Sequence, residues 1–214
     1  MRISLGVSLL AICLAALGSQ PAAAQKTRVV TTPPEELLAA YVRDNSEFGR
    51  PLSEASLNLL GVATGRMEYQ HSVDAVLDGL ESLALGGATA DLRERAAVSL
   101  ALAGSRDSKR PRSGNVARLE RLYTGTSHRG VKAVVVTMLG EAQETSRALG
   151  FLEKVATKPD EDFPGASIAA MTAIAGHQEQ GGAVLKRLHD SHAIRDAHAV
   201  QWLNLIAERG YRIR

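Results

Sequence analysis

An all-α chain, folded as an α-solenoid of about five helix pairs with no sheet, is what this sequence predicts, on three observations. First, apolar residues make up 45% of 214 residues, but aromatics only 4%: three Phe, one Trp and four Tyr. A core this poor in rings is built from Ala, Leu, Val and Ile, which suits close helix packing better than half-buried sheet. Second, apolar residues recur at steps of three and four, and no stretch alternates long enough to read as a strand. Third, the segments at 91–104, 128–140 and 163–176 align on one another, closing on Gly104, Gly140 and Gly176, 36 residues apart. A helix, a turn, a second helix and a glycine stop at a fixed period mark a stacked helical repeat.

The elements follow in order. Residues 1–24 read as a secretory signal peptide: Arg2, an apolar run from Ile3 to Gly18, a break at Ser19-Gln20-Pro21, and Ala22-Ala23-Ala24 as the small-residue cleavage site. The run is shorter than the roughly 20 residues that span a bilayer. Ile12 before Cys13 is too bulky for a lipidation site. Cleavage after Ala24 predicts a periplasmic or secreted protein starting at Gln25, with no stable membrane anchor. It removes Arg2 and Cys13, leaving 24 basic against 23 acidic residues and no thiol, so burial alone must hold the fold. Residues 25–32 form an extended lead-in. A repeat domain spans 33–214, opened by Pro33-Pro34 and the acids Glu35 and Glu36, which suit a helix start. Leu37, Leu38, Tyr41 and Val42 stripe a first helix. Leu57, Leu60 and Val62 mark a second, capped by Ser53. Val73, Val76, Leu77, Leu80 and Leu83 mark a third, between Ser72 and Gly86-Gly87.

Residues 92–104, Leu-Arg-Glu-Arg-Ala-Ala-Val-Ser-Leu-Ala-Leu-Ala-Gly, resemble the second helix of a short bacterial HEAT-like repeat through Leu92, Arg93, Ala96, Ala97, Leu100 and Gly104. Arg129, Ala133, Leu139 and Gly140 match in the next copy, Ala169 and Gly176 in the third, and Leu203, Ile206 and Gly210 loosely in the last. The resemblance covers about 53–210 and implies a right-handed superhelix. It also implies that Arg93 and Arg129, at one repeat position, pair with acids of neighbouring repeats.

Composition excludes several functions. Without cysteine the mature chain has no thiolate nucleophile and no Cys-based metal site. The near-zero net charge argues against nucleic acid as a partner, and no phosphate-loop or nucleophile-elbow pattern occurs. His189, His192 and His198 lie near Asp190 and Asp196, but the chain lacks the paired His-Glu dipeptides of HEAT-like metal hydroxylases. No catalytic residue, metal or cofactor is therefore expected. The reading is a non-catalytic exported scaffold that binds a protein through the concave face of its second helices. The alternative is an enzyme or enzyme accessory with a small-molecule pocket on that face. Arg95, Lys132 and Trp202 are the candidate binding residues, with Arg95 and Lys132 expected to be exposed in a shared groove. The polar stretch from Ser105 to Gly114, with Arg106, Lys109, Arg110 and Arg112, is either a basic contact loop or a flexible surface loop. Asp160-Glu161-Asp162 reads as a solvated acidic run before a helix.

Overall fold

The computed structural model describes residues 28–46 and 50–211, so the expected signal peptide lies outside the described residues. Ten helices are described: α1 (Pro34–Asn45), α2 (Glu54–Ala63), α3 (Val73–Gly86), α4 (Ala90–Leu102), α5 (Asn115–Gly125), α6 (Arg129–Leu139), α7 (Thr145–Thr157), α8 (Ala166–Gly176), α9 (Gln178–Asp190) and α10 (Ala197–Glu208). The protein is mostly helical. Pro34 opens α1 with Glu35 and Glu36 in its first turn, and the Ser53 hydroxyl accepts from the Ser56 N–H at the start of α2, as their residue types dictate.

One expectation is corrected. The chain does contain sheet, a two-residue parallel pair between β1 (Val29–Val30) and β2 (Glu68–Tyr69). Strands this short cannot show alternation in sequence. They pair because the extended lead-in offers backbone groups to the turn after α2, where the Tyr69 hydroxyl also donates to the Thr32 carbonyl at 3.0 Å.

The helices lie in two rows. The first helices α3, α5, α7 and α9 each touch the next in their row, and so do the second helices α4, α6, α8 and α10. Between the rows runs a continuous core of Leu, Val, Ala and Ile, entered by few rings. Tyr41 is one of them, and its hydroxyl meets Ser99 Oγ at 2.8 Å, joining α1 to α4.

The internal repeat is less even than the glycines suggest. Leu92, Ala96, Ala97 and Leu100 of α4 are buried. Their buried counterparts are Val131, Val135, Val136 and Leu139 in α6, then Ala166, Ala170, Met171 and Ile174 in α8. These sets are offset by 39 and then 35 residues. The 36-residue columns mix faces instead: Ala97 is buried, while Ala133 and Ala169 are only half-buried. Unequal connections cause this, since residues 103–114 separate α4 from α5 but only 140–144 separate α6 from α7.

Gly104, Gly140 and Gly176 end their helices without the left-handed turn that a glycine stop commonly makes. None has a positive φ, whereas Gly65 and Gly210 do, at 68° and 66°. Gly140 and Gly176 are instead points of close approach. A Cβ on Gly140 would lie 3.0 Å from the Ala173 carbonyl oxygen, and one on Gly176 would lie 3.2 Å from that of Gly140. Gly150, inside α7, meets nothing within 4 Å. Gly150→Ala is therefore expected to stabilise by about 0.5–1 kcal/mol through helix propensity and a less free unfolded chain. A rise of a few degrees in a thermal melt checks this.

Candidate functional site

The two rows of helices carry opposite chemistry on their free faces. The first-helix row is laced by ion pairs between successive helices. Arg118 of α5 bonds Asp74 at 3.1 Å and Glu81 at 3.3 Å on α3, and also reaches Asp78. Arg121 forks onto Glu81 at 3.1 and 3.0 Å. Arg147 of α7 forks onto Glu120 of α5 at 3.0 Å through both nitrogens, and Arg187 of α9 forks onto Glu153 of α7 at 3.2 and 2.6 Å. Bidentate guanidinium–carboxylate pairs fix geometry as well as charge.

Arg93 and Arg129, the residues expected to supply such pairs, do not. Arg93 Nε donates to the Gly87 carbonyl at 2.6 Å and closes the turn leading into its own helix. Arg129 is exposed at the first position of α6. Ion pairs between successive helices sit instead in the other row, through Arg118, Arg121, Arg147 and Arg187.

The second-helix row is nearly free of charge along its middle. α8, Ala-Ser-Ile-Ala-Ala-Met-Thr-Ala-Ile-Ala-Gly, has no ionisable side chain. Partly exposed Val98 and Leu102 on α4, Ala133 and Val134 on α6, and Ile168 and Ala169 on α8 form its surface. Val98 and Leu102 are four apart and so share one side of their helix.

Lys132 is not on that surface. It is 6% exposed, and its ammonium bonds both Asp160 oxygens at 2.9 and 3.0 Å and Asp162 Oδ2 at 2.9 Å. The Tyr123 hydroxyl donates to Asp160 Oδ2 at 2.6 Å, and the ammonium lies 5.2 Å from the centre of the Tyr123 ring. Asp160 Oδ1 also accepts from the Asp162 and Phe163 N–H groups at 3.1 Å. Burial pushes the Asp160 carboxyl up, but the hydrogen bonds from Tyr123 and Lys132 outweigh it and hold the group below the usual carboxylate range. Burial likewise works against the Lys132 charge, and the two aspartates outweigh it and raise its pKa. The acidic run is therefore half structural, an anchor for a buried cation. A lone lysine within Gly-Val-Lys-Ala-Val-Val-Val was the signal for it, since an apolar helix face admits a charge only with a partner.

The other nominated residues also serve packing. Arg95 Nη1 donates to Asn45 Oδ1 at 3.1 Å, tying α4 to the end of α1. Trp202 is half-buried against the core. His189 places Nδ1 2.9 Å from the Tyr211 hydroxyl and Nε2 3.0 Å from Asn204 Oδ1, both on its C-terminal side, and His198 is exposed. Among the described residues, no group of three His, Cys, Asp or Glu gathers as a metal ion requires, and no helix is long and apolar enough to cross a membrane.

The basic stretch at 105–114 is a strap rather than a free loop. Arg106 Nη2 donates to the carbonyls of Gly140 at 2.6 Å and Gly176 at 3.2 Å, so one cation bridges the C-terminal ends of α6 and α8. The Arg106 N–H bonds Glu141 O at 2.9 Å, the Ser108 hydroxyl bonds Thr64 O at 2.7 Å, and the Lys109 N–H bonds Thr64 O at 3.1 Å. These contacts pin the first half of the strap.

An open cleft of about 250 Å³ lies beside the start of α8, lined by Asp160, Phe163, Arg195 and Asp196 among others. Among the described residues, no histidine, cysteine or tyrosine lines it. No family model, no curated protein and no solved structure matches this chain.

Proposed function

We propose that this chain is an exported, HEAT-like α-solenoid that works as a non-catalytic scaffold, holding a protein partner on the free face of its second helices. The observation that carries this reading is the division of labour between the rows. Arginine and glutamate side chains of the first row are consumed in holding successive helices together. The second row leaves Val98, Leu102, Val134 and Ile168 partly open to water, beside an α8 that has no ionisable side chain, with Glu94 one turn before Val98 on α4. Apolar side chains at a patch centre with polar residues around it suit the core of a protein interface. The stacked order of the rows, each helix on the next of its kind, supports the solenoid reading. The apolar run before Ala22-Ala23-Ala24 supports export.

Two measurements test the proposal. Mass spectrometry of the native protein is expected to begin at Gln25, and a retained Met1 would remove the periplasmic placement. A photo-reactive amino acid at Val98, Val134 or Ile168 is expected to trap a protein partner in the periplasm, while the same probe at Glu153 or Arg187 traps none. Trapping only from Glu153 and Arg187 would put the interface on the other row.

A further inference from the structure

His177 stands where α8 meets α9 and is 5% exposed. Its Nε2 lies 2.8 Å from the Leu139 carbonyl at the end of α6, which makes Nε2 the protonated nitrogen of the neutral ring. Its Nδ1 is buried with no hydrogen-bond partner. A proton on Nδ1 would therefore be buried without an acceptor.

The charges around the ring are few. Arg106, from the strap between α4 and α5, carries the cation that bridges the Gly140 and Gly176 carbonyls on either side of this joint. Glu141, in the turn after α6, sits 3.6 Å from Arg106 and partly offsets it. α8 offers no ionisable side chain, and α9 presents Gly181 to the His177 Cβ.

From this geometry we infer that His177 is an acid-sensitive latch: neutral, it fastens the α8–α9 corner to the end of α6, and protonation releases that corner. The proton finds no acceptor, meets the Arg106 guanidinium, and is accommodated once the ring reaches water. Burial, reinforced by Arg106 and only partly countered by the bond to Leu139 and by Glu141, holds the imidazole below its ordinary value of 6.5. A base depressed in the folded state gives full stability above the unfolded pKa and loses it as pH falls. The loss thus begins near pH 6.5 and continues to the lower folded value. The latch acts on the stack itself and does not depend on any partner.

Hydrogen exchange of the mature protein, corrected for the intrinsic effect of pH, tests the latch. Between pH 6.5 and 5.5 the exposure of amides at 166–190 is expected to rise by up to about fivefold, the limit for one excluded proton whose open-state pKa is the ordinary 6.5. His177→Gln retains a donor toward Leu139 and cannot titrate, so its exchange in that segment is expected to stay level over the same range. Equal acid response in native protein and His177→Gln overturns the latch. Should that variant not fold, nitrogen NMR of the native protein decides: a His177 ring neutral and protonated on Nε2 at pH 6.0 supports the latch, and one already charged at pH 6.5 overturns it.

Discussion

Asp160→Ala is expected to lower the melting temperature of the protein by about 10 °C. The carboxylate accepts from Lys132 Nζ, the Tyr123 hydroxyl and two backbone N–H groups, so its removal leaves the buried Tyr123 hydroxyl without its acceptor and the buried Lys132 ammonium with Asp162 alone. Removing one partner of a buried pair costs about 3–5 kcal/mol. Asp162, half exposed, remains to bind Lys132 and keeps the loss near the lower limit. For a helical domain of this size about 3 kcal/mol corresponds to roughly 6–12 °C. Lys132→Met should cost less, because Asp160 keeps Tyr123 and its backbone donors while a linear apolar chain fills the space. A thermal melt of the two variants side by side checks the order. Equal, small losses in both would mean that Lys132 is solvated. The same carboxylate sets an acid limit. Its folded pKa lies below the ordinary 3.8, so its contribution is present above pH 3.8 and disappears as pH falls through the lower folded value.

Gly181→Ala is the second large effect, with the opposite sign from Gly150→Ala although both glycines lie inside helices. A Cβ at position 181 would lie far inside contact distance of the carbonyl oxygen of Ile174, across the joint between α8 and α9. That obstacle is backbone, so no rotamer change relieves it, and the two helices must part. Overpacking costs typically about 1–3 kcal/mol, and a backbone obstacle puts this site at the upper end of that range, above the roughly 1 kcal/mol gained from alanine's helix propensity. Failure to express as a folded protein, or a melting temperature lower by at least several degrees, is the expected result. An unchanged melt would show that α8 and α9 pack less closely at that point.

These two sites illustrate different degrees of legibility. Gly181 follows Gln178-Glu179-Gln180 in a polar stretch and reads as a mild helix weakness, since nothing local announces a carbonyl opposite. Lys132 is visible as a charge in an apolar run, yet only the fold brings Asp160 to it across 28 residues. Arg106 reads as one basic residue among four, and its two carbonyl partners belong to helix ends 34 and 70 residues further on.

What the sequence determined by itself is what depends on neighbours in the chain. The three- and four-residue apolar steps specify helices, and Pro34, Ser53 and Gly87 lie at their ends because capping is a matter of one turn. The shortage of aromatic and strand-like stretches specifies a helical core. Tertiary structure decided which helix faces which, and with it the role of every charge. The resemblance to HEAT-like repeats implies that Arg93 and Arg129 work between repeats. The folded chain gave that task to Arg118, Arg121, Arg147 and Arg187, because connections of unequal length shift each helix along its neighbour without altering its own periodicity. It also made Gly140 and Gly176 contact points rather than left-handed stops, since close approach needs a second backbone that no local pattern records. The burial of Lys132 and His177 has the same origin: a charge or a ring nitrogen acquires its environment from elements packed against it, and long-range packing alone supplies those.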